Sequence, residues 1–269
     1  MRPDQHQALA AEAALFQNIA ARHANVIKLI GLVDGIDSDG VPFYGFVMPR
    51  LCDVRDAIRD PECDLTQRLA WIADVASGLA FLHENGVVHG HLQVCVRKRP
   101  VCCHRDVSLC PTRPQASNVL IELPALRTVI CDLSFEKVMR GARSTGESIA
   151  VSSFIACSSR WNAPELQADP RTGLAAATTP TTSSDVWAFA TTAWEIITGR
   201  IPYADLPGDI TEGRIAYKIF NEGATPALAP LDDAILYSFV CILDQCWSKV
   251  PESRPSMATV AELLMPYRT

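Results

Sequence analysis

Four polar residues of this chain are of types that could support chemistry. They are His91, Gln93, Asn118 and Asp132. A neutral imidazole can accept a proton near neutral pH. Amide and carboxylate oxygens, as on Asn118 and Asp132, are hard donors of the kind that Mg²⁺ prefers. An Asp after a strand and an Asn in a turn are also common in any domain, so residue type alone leaves a cation site and ordinary turns both open.

Apolar spacing predicts the elements that would position these residues. A helix over residues 65–83 is predicted by apolar positions 3, 4, 3 and 3 residues apart, at Leu69, Ile72, Ala76, Leu79 and Leu82. Gly86 has the position of a residue that ends such a helix. A strand is predicted over 41–50, and further helices over 8–21, 54–59 and 257–267. A buried helix is predicted to begin near 183 or 184, with Ser183 or Ser184 as its cap.

Composition narrows the class of protein. The chain has 269 residues, 48% of them apolar, which suits one large domain or two small lobes. A net charge of −6 argues against a nucleic-acid binder, since Arg97-Lys98-Arg99 is the one basic run. No apolar run approaches the roughly 18 residues that span a bilayer. Because the N-terminus has no apolar signal core, we expect a soluble, cytoplasmic protein without a membrane anchor.

The chain has ten cysteines, of which four lie between 94 and 115 together with His104. In a reducing compartment they are not expected to form disulfides. Their spacing lacks the paired C-x-x-C knuckles of structural zinc sites, so zinc is the less favoured interpretation.

The stretch Leu82 to Gln93 resembles the catalytic loop of eukaryotic protein kinases. That loop reads H-R-D-L-K-x-x-N, and this chain reads His89-Gly90-His91-Leu92-Gln93 followed by Ala116-Ser117-Asn118 once residues 94–115 are removed. Further segments resemble kinase motifs in the same order, at 22–31, 46–51, 129–138, 159–166, 181–203 and 246–255. The tryptophans in the last three of them are typical of the tyrosine-kinase-like branch.

The resemblance implies an α+β, protein-kinase-like fold with a mostly helical large lobe. By the same resemblance, residues 210–222 and 234–249 would be helices G and H of that lobe. Residues 1–51 would be a remnant of the small lobe, with helix C, the fourth and fifth strands and the hinge. Residues 52–269 would be the large lobe, with 94–115 inserted in its catalytic loop. Neither a Gly-rich loop nor the third-strand lysine precedes the helix-C segment, so the small lobe is expected to be truncated. The family's helix-C glutamate is either supplied by Glu12 through a shifted helix or lost.

The resemblance also assigns a nucleotide site. Met48 would be the gatekeeper, and the backbone of Pro49, Arg50 and Leu51 would face an adenine. Pro49 has no backbone N–H and offers its carbonyl alone. Asn118 and Asp132 would hold magnesium. ATP and Mg²⁺ are therefore expected cofactors, bound weakly or not at all.

Three positions of the catalytic loop depart from the family. His91 replaces the aspartate that accepts the substrate's proton, Gln93 replaces the loop lysine, and Gly90 replaces the loop arginine. The structural residues of the family are present: Asp185, which would cap the catalytic loop, and Glu165, which would pair with Arg254. The resemblance thus implies an intact scaffold with altered chemistry.

The insertion at 94–115 is open to two interpretations. It contains His104-Arg105-Asp106, so Asp106 could supply the missing base. The family motif, however, requires an asparagine five residues after that aspartate, and this position is Pro111. We prefer the hypothesis that it is translated intron, because its composition differs from its flanks and it consists of whole codons without a stop. A structureless insert of this length inside a compact site is unusual as well.

The main functional prediction is a catalytically impaired pseudokinase that binds protein partners through its large lobe in signalling. The alternative is an active Ser/Thr or Tyr kinase, transferring phosphate from ATP to a protein hydroxyl and represented by an incomplete gene model. A decaying paralogue without a stable product is a third hypothesis. Restoring exons would not restore an aspartate at position 91, so His91 separates the first two.

Overall fold

The computed structural model describes residues 17–36, 42–93, 118–131, 159–167, 179–208, 210–227 and 234–268. The strands are Gly31–Ile36 (β1), Pro42–Val47 (β2), Cys52–Asp53 (β3), Val119–Glu122 (β4) and Arg127–Ile130 (β5). The helices are Val54–Ala57 (α1), Leu65–Glu84 (α2), Thr182–Thr198 (α3), Glu212–Tyr217 (α4), Ala234–Cys246 (α5) and Met257–Leu264 (α6). The predicted α+β class is confirmed. None of the described helices is long and apolar enough to cross a membrane.

The strands form two small antiparallel sheets. One is the hairpin of β1 and β2, in which Gly31 lies opposite Val47 and Ile36 opposite Pro42. The other has the order β3-β4-β5. Val26 forms a parallel bridge with Ile130, so the segment before β1 runs beside the last strand of the second sheet. The strand predicted over 41–50 is therefore observed as β2 with shorter bounds.

Helix α3 lies at the centre of the core. Nearly every side chain from Ser184 to Ile196 is buried, and Trp187, Phe189 and Trp194 are at most 1% exposed. The cap predicted at Ser183 or Ser184 was wrong. Thr181 is the N-cap, and it forms a reciprocal capping box with Ser184, each side chain accepting from the other's backbone N–H. The helix ends at Gly199, whose φ of +67° is left-handed.

Helix α2 has the predicted position and is one residue longer. Asp64 caps it by accepting from the backbone N–H of Gln67, and Gly86 follows its last turn with a φ of +71°. The helices predicted over 54–59, 210–222, 234–249 and 257–267 are observed with shorter bounds, as α1, α4, α5 and α6. Of the helix predicted over 8–21, residues 8–16, including Glu12, lie outside the described part of the chain. Helix α4 continues as a π-turn over Lys218–Glu222, and α6 continues as a 3₁₀ turn over Met265–Tyr267.

Gly78 in the middle of α2 allows a close approach of the segment that precedes β1. A Cβ at this position would lie 2.9 Å from the carbonyl oxygen of Asn25 and 3.2 Å from Cδ1 of Ile130. We expect Gly78→Ala to destabilise the protein, because overpacking costs about 1–3 kcal/mol. Alanine gains at most about 1 kcal/mol in helix propensity. Urea unfolding would measure the difference.

Gly213 in α4 is the matched control for Gly78. A Cβ there would meet no atom within 4 Å, so the gain in propensity has no opposing contact. Gly213→Ala is expected to be neutral or stabilising by up to about 1 kcal/mol. A Gly78→Ala protein as stable as the wild type would contradict the packing argument.

Candidate functional site

The loop at 89–93 takes its shape from a carboxylate on another element. Asp185, 1% exposed at the start of α3, accepts from the backbone N–H of His89 at 2.7 Å and from that of Gly90 at 2.8 Å. Its Oδ2 also accepts from Nε2 of His83, at the end of α2, at 2.9 Å. Gly90 has a φ of +76°, a left-handed value at which a side chain would be strained. Asp185 thus holds the loop against both α2 and α3.

His89 connects this loop to the end of β5. Its ring is fully buried, and Nε2 lies 3.0 Å from the carbonyl oxygen of Cys131. Because a carbonyl can only accept, Nε2 carries the proton. Nδ1 is then free to accept, and the backbone N–H of His91 donates to it at 3.2 Å. Both bonds are satisfied by the neutral tautomer with the proton on Nε2. Together they fix the backbone of position 91 relative to β5.

The side chains predicted for catalysis come together around the imidazole of His91. Nδ2 of Asn118 donates to the carbonyl oxygen of His91 at 2.5 Å and lies 3.3 Å from its Nδ1. Nε2 of Gln93 lies 2.9 Å from Nε2 of His91. Both amides are at most 3% exposed. A neutral imidazole has a single accepting nitrogen, and an amide nitrogen can only donate, so one of these two contacts is a hydrogen bond. The accepting nitrogen of His91 is therefore engaged by a side-chain amide.

Asn118 has one atom with which it could bind a cation. Its amide nitrogen is directed at His91, so its oxygen Oδ1 is the remaining donor. Its backbone is also fixed, because its N–H donates to the carbonyl of Gln93 and its carbonyl accepts from Cys131. A hard oxygen held in this way fits Mg²⁺. Asp132, the other predicted ligand, lies outside the described residues.

A small apolar surface lies next to Asn118. Ile27, Val129 and Cys131 are buried there, and Met48, Leu51 and Leu120 pack against them partly exposed. Such a surface fits a flat aromatic ring like that of adenine. Two of the predicted hinge residues, Met48 and Leu51, thus meet in one cluster. Pro49 is half-buried and Arg50 is exposed, and neither belongs to the cluster.

Leu120 was not predicted as a site residue. In β4, Val119 and Ile121 point into the main core, whereas Leu120 points to the opposite side. This alternation follows from the two-residue period of a strand. The alternation was visible in the sequence, but it could not show that the second face of so short a strand would meet Met48 and Leu51.

A second buried charge cluster joins three distant segments of the chain. Arg254 donates to both carboxylate oxygens of Glu165, at 2.7 and 2.8 Å, and its side chain is 0% exposed. It also donates to the backbone carbonyls of Ser183 and Ser248. Its guanidinium lies 5.3 Å from the ring centroid of Trp187. The arrangement satisfies the charge through a bidentate pair and a cation–π contact.

Sequence reasoning did not single out the pair of Glu195 and Arg55. Glu195 lies within the apolar run of α3 and is 2% exposed, and Nη2 of Arg55 donates to it at 2.7 Å across 140 residues of sequence. Burial raises the pKa of Glu195 to about 8, and the charge of Arg55 opposes that shift. The one available signal was a carboxylate that directly follows a mostly apolar run, Val186 to Trp194.

The titration of Glu195 should make stability depend on pH. The ordinary pKa of a glutamate is 4.5, and burial raises that of Glu195 to about 8. Between these two pH values, the folded protein therefore binds a proton that the unfolded chain has released. The contribution of Glu195 to stability is therefore present at pH 4.5 and lost as pH rises towards 8. Glu195→Gln removes this titration. The melting temperature of wild type minus that of the variant should fall between pH 5 and 8, and a flat difference would contradict the assignment.

Together these features define a class of protein. A loop capped by Asp185, an amide at Asn118 beside an apolar cluster, and the Glu165–Arg254 pair occur in a mostly helical structure with small antiparallel sheets. This is the arrangement of a protein kinase domain. The family model for protein tyrosine and serine/threonine kinases matches residues 1–264. The chain therefore belongs to this family.

Curated relatives agree with the tyrosine-kinase-like branch. Mitogen-activated protein kinase kinase kinase 10 of Xenopus laevis is 27% identical over 72% of this chain and 16% of its own length. Calmodulin-binding receptor-like cytoplasmic kinase 3 of Arabidopsis thaliana is 26% identical over 92% of this chain and 44% of its own length. Serine/threonine-protein kinase CTR1 of the same plant is 24% identical over 76% of this chain and 20% of its own length. The chain thus spans less than half the length of each.

Several predictions fall on parts of the chain outside the described residues. They are the insertion at 94–115 with its H-R-D tripeptide, Asp132, and the segment after it up to residue 158. The hypotheses of a substitute base at Asp106 and of a translated intron stay predictions. So does the division of the chain at residues 51 and 52, and so do the roles of His91, Gln93 and the hinge residues.

Proposed function

We propose that this kinase domain is catalytically impaired and acts by binding protein partners through its large lobe. The observation that carries the proposal is the environment of His91. An imidazole stands where the family has a carboxylate base, and both of its ring nitrogens lie within 3.3 Å of a side-chain amide of the same loop. The partner-binding part of the proposal rests on the large-lobe contacts of Asp185 with the loop and of Glu165 with Arg254.

The expected loss of activity follows from what the base does. Phosphoryl transfer relies on positioning and electrostatics, and a carboxylate orients the substrate hydroxyl and accepts its proton. A ring nitrogen of His91 that accepts a hydrogen bond from Asn118 or Gln93 cannot at the same time accept the proton of a substrate hydroxyl. General-base catalysis contributes about 10²–10⁴-fold in rate. We therefore expect transfer to be reduced by at least that factor.

Weak nucleotide binding is compatible with the site. Met48, Leu51 and Leu120 offer an apolar surface to a base, and Oδ1 of Asn118 offers a ligand to Mg²⁺. Bound Mg–ATP would supply the phosphoryl group and its leaving group. By the family resemblance Asp132 would be the second ligand. The replacement of the loop lysine by Gln93 removes a positive charge that would assist phosphate.

An active kinase is the second candidate function. In its favour, Asp185 caps the loop backbone, Arg254 pairs with Glu165, and Asn118 lies beside position 91. All of the relatives named above are described as kinases. In this alternative His91 would act as the base after releasing one of its amide partners.

Phosphate transfer from radiolabelled ATP to a generic protein substrate tests the proposal. Wild type, His91→Ala and His91→Asp would be compared at equal concentration with Mg²⁺. We expect wild type to be no faster than His91→Ala. A wild-type rate tenfold or more above His91→Ala would overturn the proposal and establish His91 as the base. His91→Asp shows whether the remaining site is competent once a carboxylate is restored.

A further inference from the structure

Arg268, near the C-terminal end of the chain, contacts three distant residues at once. Its Nε donates to Oδ1 of Asp74 at 3.1 Å, Nη1 to Oγ of Ser77 at 3.0 Å and Nη2 to Oδ1 of Asn25 at 2.7 Å. Asn25 is 243 residues away in sequence. A planar guanidinium suits such a set, because its donors diverge in a fixed geometry. One side chain therefore bridges α2 and the segment before β1.

The partners of Arg268 lead directly to β5. Nδ2 of Asn25 donates to the carbonyl of Thr128 at 2.9 Å, and Oδ2 of Asp74 accepts from the N–H of Thr128 at 3.1 Å. The backbone of Asn25 accepts from Ile130, and Ile130 in turn accepts from Ile27. Asn25 is fully buried. The position of Ile27 and of the end of β5 thus depends on how Asn25 is held.

His23 completes this polar network from the other side. Its Nδ1 accepts from the N–H of Asn25 at 3.2 Å, and its Nε2 lies 3.4 Å from Oγ of Ser77, the group that also accepts from Arg268. Its ring stacks on Phe81 with centroids 4.7 Å apart. Burial, and next the positive charge of Arg268, lower the pKa of His23. The pKa of His23 therefore depends on whether Arg268 lies beside it.

We propose that Arg268 is a clasp through which the C-terminal end of the domain controls the apolar surface of the proposed nucleotide site. With the clasp closed, Asn25 is fixed, Ile27 lies on Val129 and Cys131, and this apolar surface is formed. With the clasp released, the segment before β1 separates more readily from β5. The side chain of Arg268 is 42% exposed, so a partner can reach it from outside. This inference rests on the nucleotide site of the proposed function, but not on phosphate transfer.

Hydrogen exchange on the full chain, followed by mass spectrometry, tests the clasp. In Arg268→Ala we expect exchange in peptides covering 23–31 and 126–131 to rise about tenfold, the size expected when bonds to a charged group are lost. Arg268→Lys, which keeps the charge without the fork, should show a smaller rise in the same peptides. Peptides from α3 should not change.

The control is Arg200→Ala, which removes an exposed arginine paired with Asp205 on the large lobe. It should leave peptides 23–31 unchanged. An equal rise across all peptides of Arg268→Ala, or no rise in the two named regions, would overturn the proposal. If Arg268→Ala does not fold, the same two outcomes measured on Arg268→Lys decide the proposal.

Titration of His23 by NMR gives an independent readout. Since the charge of Arg268 lowers the pKa of His23, Arg268→Ala should raise that pKa, and Arg268→Lys should raise it less. A pKa of His23 that is the same in wild type and Arg268→Ala would contradict a closed clasp in solution.

Discussion

Replacing Asp185 with alanine should cost about 3–5 kcal/mol of stability, because three donors would lose their acceptor inside the protein. The backbone N–H groups of His89 and Gly90 and Nε2 of His83 all converge on this carboxylate. For a domain of this size, such a loss lowers the melting temperature by roughly 10 °C. Thermal unfolding by circular dichroism would measure it.

Two variants control the Asp185 experiment. Asp185→Asn keeps one acceptor oxygen and should lose less than alanine. Asp205→Ala removes a carboxylate that is 48% exposed and paired with Arg200, so it should change stability by less than about 1 kcal/mol. If Asp185→Ala cost no more than Asp205→Ala, the loop would not depend on α3 as described.

Glu165→Ala is expected to have an effect nearly as large. The side chain of Arg254 is 0% exposed and would keep its charge without an anionic partner. Removing one partner of a buried ion pair costs about 3–5 kcal/mol. Because Glu165 itself is 17% exposed, water can enter in its place, and the lower end of that range is expected. Chemical denaturation in urea is the appropriate measurement.

The pair can be tested further with a double variant. Arg254→Met combined with Glu165→Leu removes both charges together, so no uncompensated charge remains in the core. The double variant should be more stable than Glu165→Ala. Glu222→Ala is the exposed control, since the Lys218–Glu222 pair lies one helical turn apart on the surface and is worth about 0.5 kcal/mol or less. A double variant no more stable than Glu165→Ala would argue against a buried pair.

The sequence predicted those features that depend on local spacing. Helix α2 was predicted from its apolar period, and the strand predicted over 41–50 is observed as β2. The convergence of His91, Gln93 and Asn118 was expected from the family resemblance, in spite of the insertion between them. Physical reasoning on composition alone would not have joined residues 93 and 118.

Features that depend on contacts between distant segments were not predictable. The bond of Arg268 to Asn25 and that of Arg55 to Glu195 join residues 243 and 140 positions apart. Nothing in the local pattern of a lone arginine names its partner. The prediction of the N-cap of α3 was wrong for a different reason. Thr181, Ser183 and Ser184 are all good caps, and the choice among them depends on where the chain leaves the preceding loop.

The capping of the catalytic loop by Asp185 bears on how new chemistry could arise in this domain. The path of the backbone at His89 and Gly90 is set by a carboxylate that belongs to α3, not by the side chains at positions 91 and 93. The side chain at position 91 can therefore change without loss of the bonds that hold this backbone. A library randomised at position 91 should yield mostly folded proteins, whereas Gln93 is 2% exposed and a charged side chain there would be buried without a partner.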